Sequence, residues 1–100
     1  MKLNGLEIPD GRLADLCRRS QVSELSVFGS ALRPDFRPES DVDLLVVFEP
    51  EARIGFIAYA RLQRELSELV GRKVDLVSKR GLKPLIRDEV IASSRVVYAA

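Results

Sequence analysis

A chain of 100 residues is the size of one ordinary domain, so we expect residues 1–100 to form a single domain. The net charge of +1, from 16 Lys and Arg against 15 Asp and Glu, gives no general basic field, and we expect no direct nucleic-acid binding. Histidine is absent, which excludes a histidine general base, a histidine-containing catalytic triad and a His-rich zinc site.

The cysteine content and the length of the apolar runs indicate the cellular compartment of the protein. Cys17 is the single cysteine, so no disulfide can form within the chain. The N-terminal residues lack the basic-then-apolar pattern of a secretion signal. Apolar runs such as Leu44–Phe48 are far shorter than the roughly 20 residues that cross a membrane. We therefore expect a cytoplasmic protein with no membrane partner.

The first predicted elements are a helix, two strands and a loop. Asp10 is expected to cap the helix, whose apolar stripe includes Cys17 as a buried small side chain. A short strand at Leu25–Phe28 follows. Residues 33–40 contain two prolines among charges and predict a loop. The apolar segment Asp41–Phe48 predicts a strand that is covered on both faces over most of its length.

The second half predicts two helices and two strands. Apolar residues at helical spacing predict a helix from about Arg53 to Val70, which Gly71 ends. A strand at Lys73–Val77, a helix that opens with Pro84 and a strand at Arg95–Ala99 follow. The order α, β, β, α, β, α, β predicts an α+β fold, with a small mixed sheet of three to four strands and helices packed largely on one side.

Two aspartates, Asp41 and Asp43, open the apolar strand. Side chains two apart on a strand share a face, and their Cα atoms lie roughly 6.6 Å apart. Two such carboxylates repel each other, so the pattern favours a cation between them, and Mg²⁺ binds carboxylates together with substrate phosphates. Asp75, in a later strand, would add a third carboxylate if the two strands pair. Three carboxylates can hold two metal ions for phosphoryl transfer.

Gly29-Ser30 directly follows a predicted strand, which by itself is common in a simple turn. If a short helix begins at Ser30, its free N–H groups favour an anion, and Gly29 lets a phosphate approach the backbone. The Ser30 hydroxyl adds a donor. The Walker P-loop and the Gly-x-Gly-x-x-Gly pattern are both absent, which removes the main support for ATPase, kinase and dinucleotide-binding functions. A phosphate cradle beside a metal pair predicts a nucleoside triphosphate site.

The residues just described resemble those of a known family. Gly29-Ser30, ten further residues and Asp41-x-Asp43, with Asp75 in a later strand, are similar to the signature of the DNA polymerase beta-like nucleotidyltransferase superfamily. The chain is similar in size to the smallest branch, the minimal nucleotidyltransferases (MNT), which includes MntA-type antitoxins paired with HEPN toxins. The resemblance covers essentially the whole chain and implies a single nucleotidyltransferase domain with the polymerase beta-like fold.

The resemblance also implies a mechanism. Asp41 and Asp43 would bind two Mg²⁺ ions that bridge the phosphates of ATP, while Gly29 and Ser30 hold the terminal phosphates. Asp75 would bind the metal next to the incoming hydroxyl and assist its deprotonation, so that the oxygen attacks the α-phosphorus and pyrophosphate leaves.

Arg33 and Arg37 are close to these residues in sequence, and either could neutralise phosphate charge or be a solvated loop cation. In the MntA branch, the resemblance implies transfer of AMP to a tyrosine of a cognate HEPN ribonuclease toxin, in a type VII-like antitoxin that forms a hetero-oligomer with the toxin. Two alternatives stay open. One is a non-catalytic subunit that binds nucleotide or toxin, and the other is a nucleotidyltransferase subunit for a small molecule such as an aminoglycoside.

Overall fold

The computed structural model describes all 100 residues, with six strands and three helices. In chain order these are β1 (Lys2–Leu3), β2 (Leu6–Glu7), α1 (Asp10–Arg19), β3 (Val22–Phe28), β4 (Val42–Phe48), α2 (Phe56–Val70), β5 (Val74–Ser78), α3 (Pro84–Ser93) and β6 (Arg95–Ala99). Short 3-10 turns cover Gly29–Leu32 and Lys79–Gly81. From α1 onwards this is the predicted order of elements, and the α+β prediction is confirmed.

Four strands form the main sheet in the order β5-β4-β3-β6. β3 is antiparallel to both β4 and β6, whereas β4 and β5 are parallel. The sheet is therefore mixed and four-stranded, as predicted. The central position of β4 explains its continuous apolar sequence, because the consecutive residues Leu44 and Leu45, on opposite faces, are 2% and 4% exposed.

One face of the sheet packs against α1 and α2 and forms the core with them. The helices contribute buried side chains from one stripe each, and the strands contribute alternate residues: Leu13, Leu16, Cys17, Leu62, Leu66, Leu25, Val27, Val42, Leu44, Val46, Val74 and Leu76. Burial raises the pKa of the Cys17 thiol to about 11, so this residue is a buried small side chain, as expected.

β3 and α2 differ most from the sequence-based bounds, whereas β4 begins one residue later than expected and β5 is shifted by one residue. β3 begins at Val22, three residues before the expected start, and α2 begins at Phe56 instead of near Arg53. Gly55 precedes α2 with an extended backbone (ψ 176°), which delays the first helical residue. At the other end Gly71 adopts a left-handed conformation (φ 68°) and ends the helix as predicted.

A two-stranded hairpin, β1–β2, precedes α1 and was not predicted. Asn4 and Gly5 form its turn with positive φ angles of 47° and 87°, as a type I′ turn requires. The hairpin adds Leu3 and Leu6 to the core. The order of the later elements is unchanged by the hairpin.

Asp10 does not cap α1 through its side chain, which corrects the expectation from the sequence. It is already the first helical residue, and its carboxylate accepts a hydrogen bond of 3.3 Å from the amino group of Met1. Pro9 occupies the capping position, and no side chain caps the first turn of α1.

The last two elements, α3 and β6, are the most exposed part of the fold. No residue of α3 is buried, and Leu85 is 97% exposed. β6 lies at the edge of the sheet beside β3, at the predicted residues. No helix of the structure combines the length and the apolar character needed to span a membrane.

Candidate functional site

Asp43 lies at the centre of the residues that the sheet brings together. In the β3–β4 ladder it is opposite Phe28, the residue before Gly29, and in the β4–β5 ladder it is opposite Asp75. Neighbouring strands lie about 4.8 Å apart. The side chains of Asp43 and Asp75 therefore leave the same face of the sheet side by side. The pairing of strands on which a third carboxylate depended is present.

Gly29 brings the backbone against the Asp43 carboxylate. Its φ of 73° is left-handed, and a Cβ built on it would lie 2.5 Å from Oδ2 of Asp43. Only glycine fits this approach without a shift of the neighbouring atoms. The expected helix from Ser30 is instead a four-residue 3-10 turn from Gly29. Such a turn is too short for a sizeable helix dipole, so what it offers an anion is its free N–H groups.

Ser30 connects this turn to the first aspartate of the pair. Its hydroxyl donates a hydrogen bond of 3.4 Å to the main-chain oxygen of Asp41, which lies one residue before β4. Nζ of Lys73 lies 3.7 Å from Oδ2 of Asp41, whose side chain is 49% exposed. An exposed ion pair of this kind contributes little to stability. The turn and the aspartate pair thus form one continuous surface.

The three carboxylates act on one another electrostatically. Burial raises the pKa of Asp43 above its ordinary value, and the charges of Asp75 and Asp41 raise it further. Folding therefore brings the half-buried Asp43 carboxylate close to the exposed carboxylates of Asp41 and Asp75. A cation bound at this place would relieve the repulsion.

Whether Mg²⁺ fits this place depends on the carboxylate ligands and on how they are arranged. The structure contains no group of three or more His, Cys, Asp or Glu side chains gathered as a metal cluster, so Asp41, Asp43 and Asp75 are not a preformed three-ligand cage. Mg²⁺ does not need one, because it typically takes one or two carboxylates and completes its shell with water and phosphate oxygens. Asp41 and Asp43 beside the open backbone at Gly29 fit that requirement. A two-ion site would require the carboxylates to turn towards the ions.

Arg33 lies at the end of the 3-10 turn and is exposed, without an ion pair. Its N–H donates to the main-chain oxygen of Ser30 at 3.0 Å, which keeps the residue next to the turn. A cavity of about 460 Å³ lies elsewhere, and Phe48, Tyr59 and Arg80 are among its lining residues. None of the site residues predicted from the sequence lines that cavity.

Two residues that support the site were missed in the sequence. Tyr59 of α2 donates a hydrogen bond of 2.7 Å to the main-chain oxygen of Leu76, next to Asp75. Burial, and after it the charge of Asp75, raises the pKa of Tyr59. Arg72 donates two hydrogen bonds to the loop that precedes Asp41. These contacts join residues 17 to 35 positions apart, so no local pattern indicates them.

Comparison with protein families and relatives gives two findings. Residues 12–97 match a family model described as a nucleotidyltransferase domain. The chain is also 39% identical over 84 residues to the protein adenylyltransferase MntA of Thermococcus cleftensis, and the match covers 84% of this chain and 81% of the relative.

Comparison with solved structures agrees at the level of the fold. A protein assigned as a minimal nucleotidyltransferase superposes with a TM-score of 0.71 and is 39% identical, and the match covers 85% of each chain. A structure of a tri-AMPylated HEPN toxin from Shewanella oneidensis in complex with an MNT antitoxin matches with a TM-score of 0.63 at 19% identity, over 91% of this chain and 70% of that chain.

Proposed function

The chain belongs to the nucleotidyltransferase domain family, and from this premise we propose that it transfers AMP from ATP to a hydroxyl group of a partner protein, with Mg²⁺ as the required metal. Residues 1–100 act in this proposal as one nucleotidyltransferase domain. The observation that carries it is the approach of Gly29 to Asp43, where an added Cβ would lie 2.5 Å from Oδ2. Backbone that can receive a phosphate is thereby next to a carboxylate that can receive a metal ion.

The phosphate side of the proposed site is formed by Gly29, Ser30 and Arg33. The left-handed Gly29 presents backbone without a Cβ, and the turn that it opens has N–H groups available for phosphate oxygens. Ser30 donates its hydroxyl hydrogen to Asp41 at 3.4 Å, a long bond that a phosphate oxygen can replace. The exposed guanidinium of Arg33 adds positive charge beside the turn.

The chemical step is assigned to the aspartates. Asp41 and Asp43 would hold the two Mg²⁺ ions, which would supply charge neutralisation for the phosphates and a lower pKa for a bound hydroxyl. Asp75 lies on the acceptor side and takes the hydroxyl proton. The hydroxyl oxygen then bonds to the α-phosphorus as the bond to the β-phosphate oxygen breaks, and pyrophosphate leaves. A carboxylate is a natural base in a chain without histidine.

The proposed acceptor is a tyrosine of a cognate HEPN ribonuclease toxin. The relative at 39% identity is named a protein adenylyltransferase, and one structural neighbour is an MNT antitoxin bound to a tri-AMPylated HEPN toxin. The first supports transfer of AMP to a protein, and the second supports an antitoxin that forms a hetero-oligomer with its toxin. Because the reaction consumes ATP, we place it in the cytoplasm.

The test uses the purified chain, a candidate HEPN toxin from the same genome, ATP and Mg²⁺, with intact-mass spectrometry as the readout. The toxin should gain the mass of one adenylyl group per transfer, and EDTA should stop the gain. The double variant Asp41→Asn/Asp43→Asn should give no gain. Asp35→Asn is the matched control, because Asp35 is an exposed loop aspartate without an ion pair, and it should retain the wild-type rate.

Two results would overturn the proposal in different directions. A toxin that is neutralised while its mass never changes would identify a binding subunit that masks the toxin. The same conclusion would follow if Asp41→Asn/Asp43→Asn still protected cells that express the toxin. Transfer to a small-molecule hydroxyl such as that of an aminoglycoside, with none to the toxin, would identify a different acceptor class for the same chemistry.

A further inference from the structure

Arg72 joins the start of β5 to the loop that precedes Asp41. Its Nη2 donates a hydrogen bond of 2.5 Å to the main-chain oxygen of Arg37 and one of 2.6 Å to that of Ser40. Its guanidinium carbon lies 4.3 Å from the centre of the Phe36 ring, within cation–π range. A single side chain from the α2–β5 connection therefore contacts three residues of the loop.

These contacts hold both ends of one turn. The N–H of Ser40 donates to the main-chain oxygen of Arg37 at 3.1 Å and closes the turn. Arg72 donates to the carbonyl groups at its first and last residues. Phe36, which lies against the guanidinium, packs on the hydrophobic core. The loop is thus tied at one side to the core and at the other side to β5.

The chain around Asp41 is held by three hydrogen bonds to two consecutive peptide groups. The carbonyl before Asp41 accepts a hydrogen bond from Arg72, and the carbonyl of Asp41 accepts one from Ser30. The next N–H, that of Val42, donates to the main-chain oxygen of Lys73 at 2.9 Å. Asp41 itself precedes the first residue of β4. Its place therefore depends on these three anchors, and Arg72 supplies the one on the N-terminal side.

We propose that Arg72 is a positioning residue, which holds the Asp41 carboxylate in its metal-binding place by anchoring the turn that leads into it. The inference rests on the proposed function for the role of Asp41. No carboxylate lies within ion-pair distance of Arg72, so its donors serve neutral carbonyl groups. Lys73 differs, because it contacts Asp41 through an exposed ion pair.

The first test is hydrogen exchange of the metal-free, nucleotide-free protein, followed by mass spectrometry. Arg72→Met keeps most of the apolar stem and removes the donors. Exchange in peptides that span residues 33–42 should become about tenfold faster, because charge-assisted hydrogen bonds that restrain local opening are lost. Peptides from α1 and α2 should be unchanged. Arg64→Met is the matched control, since Arg64 is exposed on α2 without an ion pair.

The second test is the Mg²⁺ dependence of AMP transfer to the toxin. A displaced Asp41 weakens metal binding, so Arg72→Met should raise the Mg²⁺ concentration for half-maximal rate by about tenfold. Arg72→Lys keeps the charge and can donate to a carbonyl group, and it should recover part of the loss. A loss of folded protein alone would lower the rate at every Mg²⁺ concentration and leave the half-maximal concentration unchanged.

The outcomes separate this inference from the proposed function. Unchanged exchange over residues 33–42 in Arg72→Met would overturn the anchoring role. Faster exchange together with an unchanged Mg²⁺ requirement would overturn the positioning role. If Arg72→Met does not fold, Arg72→Lys decides the question by the same two measurements. A wild-type protein that transfers no AMP would overturn the proposed function, while the exchange data still show whether Arg72 holds the turn.

Discussion

Gly29 has no room for a side chain, and this predicts a specific loss of function. A methyl group at this position would lie 2.5 Å from Oδ2 of Asp43, and the φ of 73° is unfavourable for any residue with a Cβ. We expect Gly29→Ala to lower the free energy of unfolding by about 2 kcal/mol. We expect it to slow AMP transfer by about 100-fold, because the phosphate and the Asp43 carboxylate are displaced together. Urea denaturation and intact-mass kinetics measure the two effects.

Gly55→Ala is the control for this substitution. Gly55 has a φ of −81° and nothing within 4 Å of the position of a Cβ. Both the stability and the rate should therefore stay close to those of the wild type. Full activity in Gly29→Ala would show that the contact with Asp43 has no part in the reaction.

At the scale of residues, whether a site residue can be predicted depends on how far along the chain its contact partners lie. Five residues of the candidate site could be selected from the sequence, since each belongs to a short pattern with a chemical meaning, and their roles stay predictions: Gly29, Ser30, Asp41, Asp43 and Asp75. Arg72 and Tyr59 could not, because their partners lie 17 to 35 positions away and come into reach only after folding. The Ser30 hydrogen bond to Asp41 was missed for the same reason.

At the scale of elements, long helices and strands could be predicted from the sequence, whereas the two-residue strands could not. β4 is a continuous apolar run of seven residues and α2 shows helical spacing over 15 residues, and both were found within three residues of their bounds. β1 and β2 have two residues each, too few for any alternation. Their one signal is Asn4-Gly5, the pair that type I′ turns favour, and the turn does adopt positive φ at both residues.

The N-terminal hairpin is connected to the phosphate turn, which predicts an effect of Asn4. Nδ2 of Asn4 donates a hydrogen bond of 3.0 Å to the main-chain oxygen of Ala31, within the turn that Gly29 opens. Asn4→Gly keeps the positive φ and loses this bond, so the free energy of unfolding should fall by about 1 kcal/mol. Asn4→Ala should cost roughly 1 kcal/mol more, because alanine is strained at φ 47°.

Urea denaturation of the wild type and both variants measures this order of stability. A slower AMP transfer in Asn4→Gly would show in addition that the hairpin supports the turn. Equal stabilities for Asn4→Gly and Asn4→Ala would mean that the left-handed conformation is not what the turn requires. If both variants were as stable as the wild type, the hairpin would not stabilise the turn that Gly29 opens.

At the scale of the whole molecule, the fold brings together charges that the sequence separates. Residues 1–50 have a net charge of −3 and residues 51–100 one of +4. Asp75 comes from the basic half, yet the parallel pairing of β4 and β5 sets it opposite Asp43. The two carboxylates share a sheet face that neither α1 nor α2 covers. The apo protein therefore gives up some stability at this place, and bound ligand can restore it.

This balance predicts opposite effects of Asp43→Asn in the absence and presence of ligand. Without metal the variant should have the higher free energy of unfolding at neutral pH, because a neutral amide removes the cost of burying the Asp43 charge and the smaller repulsion with Asp75 and Asp41. With Mg²⁺ and a non-hydrolysable ATP analogue at about 100 times the Kd, the wild type should gain about 2.7 kcal/mol. The variant should gain much less. Thermal and urea denaturation in the four conditions measure both effects.

The same prediction can be stated as a dependence of stability on pH. The pKa of Asp43 is higher in the folded than in the unfolded protein, so ionisation of Asp43 destabilises the fold as the pH rises through the folded value. The stability advantage of Asp43→Asn should therefore shrink as the pH is lowered from neutrality and disappear below the unfolded value of 3.8. Asp35→Asn, at an exposed residue of the loop, is the control variant. A variant less stable than the wild type without ligand at neutral pH would mean that Asp43 stabilises the fold and that its burial serves packing instead of ligand binding.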